Sequence, residues 1–174
     1  MNTLSSDVTD KHTDADDLVG RVIDNLAVVE LIGVGASGVV YKAIEKGPDS
    51  RMVALKVMNR AEQLLRDRLG AGENPFERDL KVSSVVDDPS AARVHRVGQS
   101  IEGQYYVVME LVEGEPLESE LAYREKIPWK EALGLMIDIG RGVGAFHRLN
   151  IIHRDVSPAN VLIKTRRDGH RRVK

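Results

Sequence analysis

The first third of the chain shows the pattern of hydrophobic residues that is typical of β-strands. Runs rich in apolar and β-branched residues at 26–32, 39–43 and 52–58 predict three strands. Gly47-Pro-Asp-Ser50, between the last two runs, has the residues of a tight turn. Because the connections are short, we expect the three strands to form an antiparallel meander.

Helices and a further strand pair are predicted beyond the meander. Residues 61–69 favour a helix, and a second helix is expected from the N-cap Asn74 to about Val86. Strands are predicted at 93–100 and 104–111, with a turn between them.

Residues 129–148 carry apolar side chains at helical spacing, which predicts a long helix. Four glycines lie inside it, and each costs about 1 kcal/mol relative to alanine. We therefore interpret them as sites of close packing against a neighbour. Asn150 suits the left-handed conformation that ends a helix.

Composition and charge exclude several classes of protein. The chain has 174 residues, 42% hydrophobic and 30% charged, which allows a folded core, and only 4% aromatic, so that core must be aliphatic. A net charge of −2 argues against a nucleic-acid binder. The absence of cysteine excludes disulfides, thiolate metal sites and cysteine nucleophiles.

The N-terminal residues and the hydropathy along the chain indicate where the protein is expected to be located. Residues 1–17 hold five aspartates and one lysine, which predicts a disordered acidic tail. No secretory signal is visible there. No apolar run reaches the roughly 18–20 residues of a membrane span. We expect a cytoplasmic segment without a membrane span, and the oligomeric state stays open.

A glycine-rich segment is the first candidate for chemistry. Gly33-Val-Gly-Ala-Ser-Gly38 fits the pattern G-x-G-x-x-G. In dinucleotide-binding folds these glycines open a helix, whereas here they lead into the strand-like run 39–43. The pattern therefore favours a hairpin whose backbone N–H groups cover phosphates, with a simple flexible turn as the alternative.

Two more candidates follow along the chain. Lys56 lies within an apolar predicted strand, where a lysine either has a function or faces water from an edge strand. His153-Arg-Asp-Val-Ser-Pro-Ala-Asn160 is predicted to be a loop between short apolar strands at 151–152 and 161–163. Asp155 can accept or orient a hydroxyl proton, and the Asn160 amide oxygen can hold magnesium, which suits phosphoryl transfer.

These three elements, in this order, resemble the protein kinase family, in particular bacterial kinases similar to eukaryotic Ser/Thr kinases. The resemblance covers residues 18–174. It implies an α+β fold, with a kinase N-lobe at 18–112 and, at 113–174, the hinge and the first part of a helical C-lobe through the catalytic loop. It also implies ATP and Mg²⁺ as cofactors and serine or threonine side chains of proteins as acceptors.

The resemblance assigns a nucleotide site. Val40 and Ala54 would pack above the adenine and Leu162 below it, while the backbones of Glu110 and Val112 would bind its edge. The implied nucleotide-binding positions are Ile32, Gly33, Gly35, Ser37, Gly38, Val40, Ala54, Lys56, Met109, Glu110, Val112 and Leu162.

It also assigns the catalytic groups. Lys56 would pair with the α- and β-phosphates, Asp155 would be the catalytic aspartate, and Asn160 would be the metal ligand. His153 and Arg154 would be scaffold residues.

Two positions depart from the family pattern. Counting ten residues back from Pro89, as the family spacing suggests, places Asp79 where the glutamate partner of Lys56 normally lies. Glu77 is the rival, but a capping box with Asn74 explains it. Ser157 replaces the lysine that usually helps to neutralise the transferred phosphate, and serine supplies no charge.

No Asp-Phe-Gly follows the last residues, so we expect the chain to be the first part of a kinase domain that does not turn over alone. The alternative is a non-catalytic, pseudokinase-like module that binds nucleotide or regulates a kinase. A small-molecule kinase is disfavoured by the arginine of His153-Arg-Asp155.

Overall fold

A computed structural model describes most of the chain. The described residues are 18–35, 37–59, 84–153, 155–165 and 171–174. The predicted acidic tail and the helix predicted at 61–69 lie outside them. The helix predicted from Asn74 also lies outside them up to residue 83. Residues 84–86 are described and are not helical, so a helix there does not extend to the predicted end at about Val86.

Six antiparallel strands form the main sheet, in the order β1-β2-β3-β4-β6-β5. The predicted meander is confirmed as β2–β4, and the predicted pair at 93–100 and 104–111 is confirmed as β5 and β6. The strands are β1 Val22–Ile23, β2 Leu26–Gly35, β3 Gly38–Glu45, β4 Arg51–Met58, β5 Val94–Gln99 and β6 Tyr105–Glu110.

The strand register sorts the side chains onto two faces. Tyr41 on β3 lies opposite Leu55 on β4, which lies opposite Val108 on β6, and all three are fully or almost fully buried. Because alternate residues point to opposite faces, the intervening positions, such as Lys56, form the second face. The buried cluster consists of Leu26, Val28, Tyr41, Ala43, Val53, Leu55, Val57, Tyr106 and Val108.

Arg96 closes the sheet on itself. From the edge strand β5 its guanidinium donates to Glu45 Oε1 at 3.1 Å and to Asn25 Oδ1 at 2.5 Å. Asn25 lies in the β1–β2 turn, so the two edges of the sheet approach each other. The Tyr106 hydroxyl donates to the carboxylate of Asp24 in the same turn. The polar contacts therefore curl the sheet around its core.

A second, smaller sheet and two helices follow the main sheet. The elements are β7 Glu115–Pro116, α1 Leu117–Tyr123, α2 Trp129–His147, β8 Leu162–Thr165 and β9 Arg171–Val173. The predicted long helix is confirmed as α2, and Asn150 has the expected positive φ of 59°. The strand predicted at 151–152 is wrong, because these residues pair with no strand among the described residues. Helix α1 was not predicted.

The glycines of α2 do not share one role. A Cβ on Gly142 would lie 2.5 Å from the carbonyl oxygen of Ser90, so this helix turn packs directly against the segment before β5. A Cβ on Gly134 or Gly140 would meet none of the described residues within 4 Å, and one on Gly144 would make an ordinary contact with Arg148 at 3.8 Å. The close-packing interpretation is therefore confirmed for Gly142, and the described residues give it no support at Gly134, Gly140 and Gly144.

A group of four charged residues ties α1, α2 and β9 together. Glu120 on α1 is buried and accepts hydrogen bonds from Arg124 and from Arg171 on β9. Glu131 on α2 binds the same two arginines, with Arg124 at 2.9 and 3.0 Å. Burial of Glu120 opposes ionisation, but the hydrogen bonds from Arg171 and Arg124 outweigh it and hold its pKa below the ordinary value of 4.5.

This pairing predicts a pH-dependent stability. A carboxyl with a lowered native pKa stabilises the fold fully above its unfolded pKa, and the stabilisation is lost as pH falls through the native value. We expect Glu120→Gln to lower the free energy of unfolding by about 1–2 kcal/mol at pH 7. The difference in the free energy of unfolding between Glu120→Gln and the unmodified protein should become smaller below pH 4.5.

Denaturant unfolding at a series of pH values measures this difference. Glu118→Gln on the exposed side of α1 is the control and should change little at any pH. A Glu120→Gln difference that stays constant down to acid pH would contradict the prediction.

Candidate active site

The glycine-rich segment forms the hairpin between β2 and β3. Gly33 lies opposite Val40 and Gly35 lies opposite Gly38. A Cβ on Gly33 would have no described residue within 4 Å, whereas a Cβ on Gly38 would lie 2.2 Å from the carbonyl oxygen of Val57. Gly38 is therefore required by packing against β4, and the described residues impose no such requirement at Gly33. The half-buried Ser37 lies in the turn.

Lys56 lies in the interior of the sheet. It pairs in register with Val40 on β3 and Val107 on β6, so β4 has a neighbour on each side. The edge-strand alternative for Lys56 is therefore wrong. Ala54, two residues before it on the same face, lies opposite Met109. The register thus brings the predicted adenine contacts and the predicted phosphate lysine onto one face.

The predicted hinge begins where β6 ends. The Glu110 N–H donates to the Arg93 carbonyl at 2.8 Å, and the Gly114 N–H donates to the Val112 carbonyl at 3.1 Å. The ladder to β4 stops at Glu110, so the backbone of residues 111–113 lies past the last pair. Leu162, at the start of β8, is half-buried. Ile32 lies on β2 before the glycines and is 46% exposed.

The predicted catalytic loop is held at both ends. The buried Ile151 donates its N–H to the Phe146 carbonyl of α2 at 3.1 Å, and the buried Val161 accepts from Leu117 N–H at 2.8 Å. The residues between them are mostly exposed. Two buried apolar anchors therefore fix a polar loop at the surface.

Within this loop, Asn160 is tied to Asp155. The Asn160 side-chain amide donates to the backbone carbonyl of Asp155 at 3.1 Å, and its backbone N–H donates to the Ser157 carbonyl at 3.0 Å. Because the amide nitrogen is the donor, the amide oxygen points the other way and can act as a ligand. An amide oxygen is among the ligands that suit Mg²⁺, so this orientation of Asn160 fits its predicted role as a metal ligand.

His153, at the start of the loop, contacts the long helix α2. Its ring packs edge-on against Phe146, with ring centroids 5.2 Å apart. Desolvation lowers the pKa of His153 below 6.5, the negative charge of Asp155 raises it, and the positive charge of Lys56 lowers it further. Lys56 and Asp155 therefore both contribute to the electrostatic environment of this imidazole. The predicted scaffold role of His153 agrees with this packing.

Other predicted residues lie outside the described part of the chain. They are Asp79, its rival Glu77, and Arg154. Sequence reasoning missed one contact beside the site, the ion pair between Glu110 and Lys174. The two residues are 64 positions apart, and no local pattern links them.

Comparison with known proteins identifies the family. Residues 26–174 match the family model of the protein kinase domain. The chain belongs to the protein kinase family. The predicted family and the predicted α+β kinase fold are thereby confirmed.

Two bacterial kinases are among the relatives of the chain. The chain is 34% identical over 140 residues to the serine/threonine-protein kinase PknA of Mycobacterium tuberculosis, covering 76% of this chain and 31% of PknA. It is 30% identical over 156 residues to the serine/threonine-protein kinase pkn3 of Myxococcus xanthus, covering 89% of this chain and 28% of pkn3.

A solved kinase domain agrees in structure. The crystal structure of the Mycobacterium tuberculosis PknI kinase domain superposes with a TM-score of 0.72 at 27% identity, covering 85% of this chain and 59% of that one. This protein kinase chain thus spans about a third of the curated relatives and about three fifths of a solved kinase domain. Among its described residues, no helix is long and apolar enough to cross a membrane.

Proposed function

We propose that this chain is the nucleotide-binding and catalytic-loop part of an ATP-dependent serine/threonine protein kinase. The main support is the strand register, which places Lys56 on an interior strand and on the same sheet face as Val40 and Ala54. In the loop, the Asn160 side-chain amide donates to the Asp155 backbone carbonyl, so the proposed metal ligand and the proposed base lie together. The cleft that we propose for the nucleotide lies between this sheet face and this loop. The division into an N-lobe at 18–112 and a hinge and C-lobe start at 113–174 is part of this proposal.

Each side chain has a role in that cleft. The backbone of Gly33 and Gly35 covers the phosphates, and Lys56 pairs with the α- and β-phosphates. Asp155 orients the acceptor hydroxyl and takes up its proton, and Asn160 offers its amide oxygen to the metal. Bound Mg²⁺ neutralises charge on the phosphates.

The adenine end of the site is apolar. Val40 and Ala54 lie above the ring and Leu162 below it, with Met109 at the back. The backbones of Glu110 and Val112 bind its edge. Ser157 adds no positive charge beside Asp155, so Lys56 is left to supply the cationic stabilisation on the protein side of the described site.

Substrate and location complete the proposal. The acceptors are serine and threonine side chains of proteins, as in the kinases that the chain is similar to. We place this segment in the cytoplasm, where Mg-ATP is supplied. A net charge of −2 gives no support for a nucleic-acid partner.

One experiment tests the function. The protein is isolated at its native intact mass and incubated with Mg-ATP labelled on the γ-phosphate and with an acceptor protein. We expect label on serine and threonine, together with measurable nucleotide binding. Nucleotide binding without transfer at that native mass would favour the non-catalytic alternative. Absence of both would overturn the proposal.

A further inference from the structure

Lys174 joins the hinge to two other parts of the fold. Its Nζ donates to Glu110 Oε2 at 2.7 Å and to the backbone carbonyl of Ala91 at 3.2 Å. The Glu110 carboxylate also accepts a longer bond, 3.3 Å, from the N–H of Arg93. The first hinge residue, Glu110, is therefore held through its side chain by Lys174, which follows β9, and by the segment before β5.

Lys174 is itself fixed in place. Its N–H donates to the Leu162 carbonyl at 2.9 Å, and its carbonyl accepts from the Leu162 N–H at 2.8 Å. Leu162 comes two positions after Asn160, at the start of β8. A continuous set of contacts therefore runs from the end of the catalytic loop, through Lys174, to the hinge.

The ion pair is partly shielded from water. The side chains of Lys174 and Glu110 are 22% and 36% exposed. Burial opposes ionisation of Glu110, but the hydrogen bonds from Lys174 and from the Arg93 N–H hold its pKa below the ordinary value. Partly buried pairs are screened less by salt than exposed ones, so this contact can restrain the backbone.

We propose that Lys174 is a positioning residue for nucleotide binding, which acts by holding Glu110 and thereby fixing the hinge backbone that binds the adenine edge. This inference rests on the proposed nucleotide site. Backbone groups that are already held in the bound geometry lose less entropy when the ligand arrives. Removing the Lys174 side chain therefore weakens adenine binding without touching the phosphate end.

The chain offers a matched control. Lys164 on β8 pairs with Glu113, so the same two residue types again connect the hinge region to this hairpin. That contact is 3.4 Å long, and its side chains are 50% and 82% exposed. An exposed pair of this kind contributes little. Lys164→Ala should therefore leave nucleotide affinity unchanged.

The experiment measures dissociation constants of adenosine and of Mg-ATP for the full chain. We expect Lys174→Ala to weaken both by the same factor, about three- to tenfold, because the defect lies at the hinge. Lys174→Arg should restore most of the affinity. Lys56→Met should weaken the binding of Mg-ATP far more than the binding of adenosine. This comparison distinguishes a loss of phosphate contacts from a loss of adenine contacts at the hinge.

The outcomes separate this inference from the proposed function. If the unmodified chain binds neither ligand, the proposed nucleotide site and the inference about Lys174 are both overturned. If it binds both and Lys174→Ala binds them equally well, only the inference is overturned, even where the variant unfolds more easily. Should Lys174→Ala fail to fold, Glu110→Gln removes the same ion pair with little change of shape. It should show the same loss for both ligands, and unchanged affinities would overturn the inference.

Discussion

In the protein isolated at its native intact mass, Asp155→Asn is expected to reduce phosphate transfer to protein acceptors by about a hundred- to ten-thousandfold. Asparagine has nearly the shape of aspartate, but it cannot take up the proton of the acceptor hydroxyl. The backbone carbonyl that Asn160 binds remains in place, so the loop should keep its geometry. Nucleotide affinity should therefore change by less than about threefold, corresponding to roughly 0.7 kcal/mol.

A second measurement tests the geometry without relying on activity. The charge of Asp155 raises the pKa of His153 and the charge of Lys56 lowers it. Asp155→Asn should therefore lower that pKa, and Lys56→Met should raise it, in an NMR titration of the imidazole. Asp49→Asn, in the exposed turn between β3 and β4, is the control for both readouts. Full transfer activity in Asp155→Asn would remove Asp155 from the proposed catalytic role.

Gly38→Ala is expected to lower the free energy of unfolding by about 3 kcal/mol or more. The added Cβ would lie 2.2 Å from the carbonyl oxygen of Val57, which belongs to the backbone of β4 and cannot rotate away. Gly38 also has a φ of 156°, a backbone conformation that residues with a side chain rarely adopt. The steric clash could be relieved only if β3 and β4 moved apart, and these two strands contribute many of the buried core residues.

Gly33→Ala is the matched comparison. It adds the same methyl group to the same hairpin, but none of the residues that the structure describes lies within 4 Å of that methyl group. We expect its free energy of unfolding to stay within about 0.5 kcal/mol of that of the unmodified protein. Urea unfolding of both variants measures the contrast. Equal losses of unfolding free energy in the two variants would mean that any added methyl group destabilises the hairpin, and that the contact with Val57 is not the cause.

Local patterns in the sequence predicted the elements of the main sheet well. The runs at 26–32, 39–43 and 52–58 became three paired strands, because alternation and turn residues act over a few positions. Short elements without such a pattern were missed, including β1 and α1. The apolar pair at 151–152 resembles a strand locally, but Ile151 instead anchors the loop to the end of α2, and Ile152 is exposed.

The same limit applies to the candidate site. The spacing within His153-Arg-Asp155 and the glycine hairpin indicated the chemistry, since these groups are close in the sequence. Whether Lys56 lies on an edge or an interior strand depends on β6 pairing beside it, and the sequence left this open. The roles of Asp79 and Arg154 stay predictions, because the structure does not describe these residues.

The sequence by itself determined the family, the strand meander, the long helix and the residues that carry the proposed chemistry. Each depends on residue types at short, fixed spacing. Only the tertiary structure decided which glycine is required, how Arg96 brings the sheet edges together and how Lys174 reaches Glu110. These contacts join residues that are distant along the chain, and only the packing of the folded backbone brings them within reach.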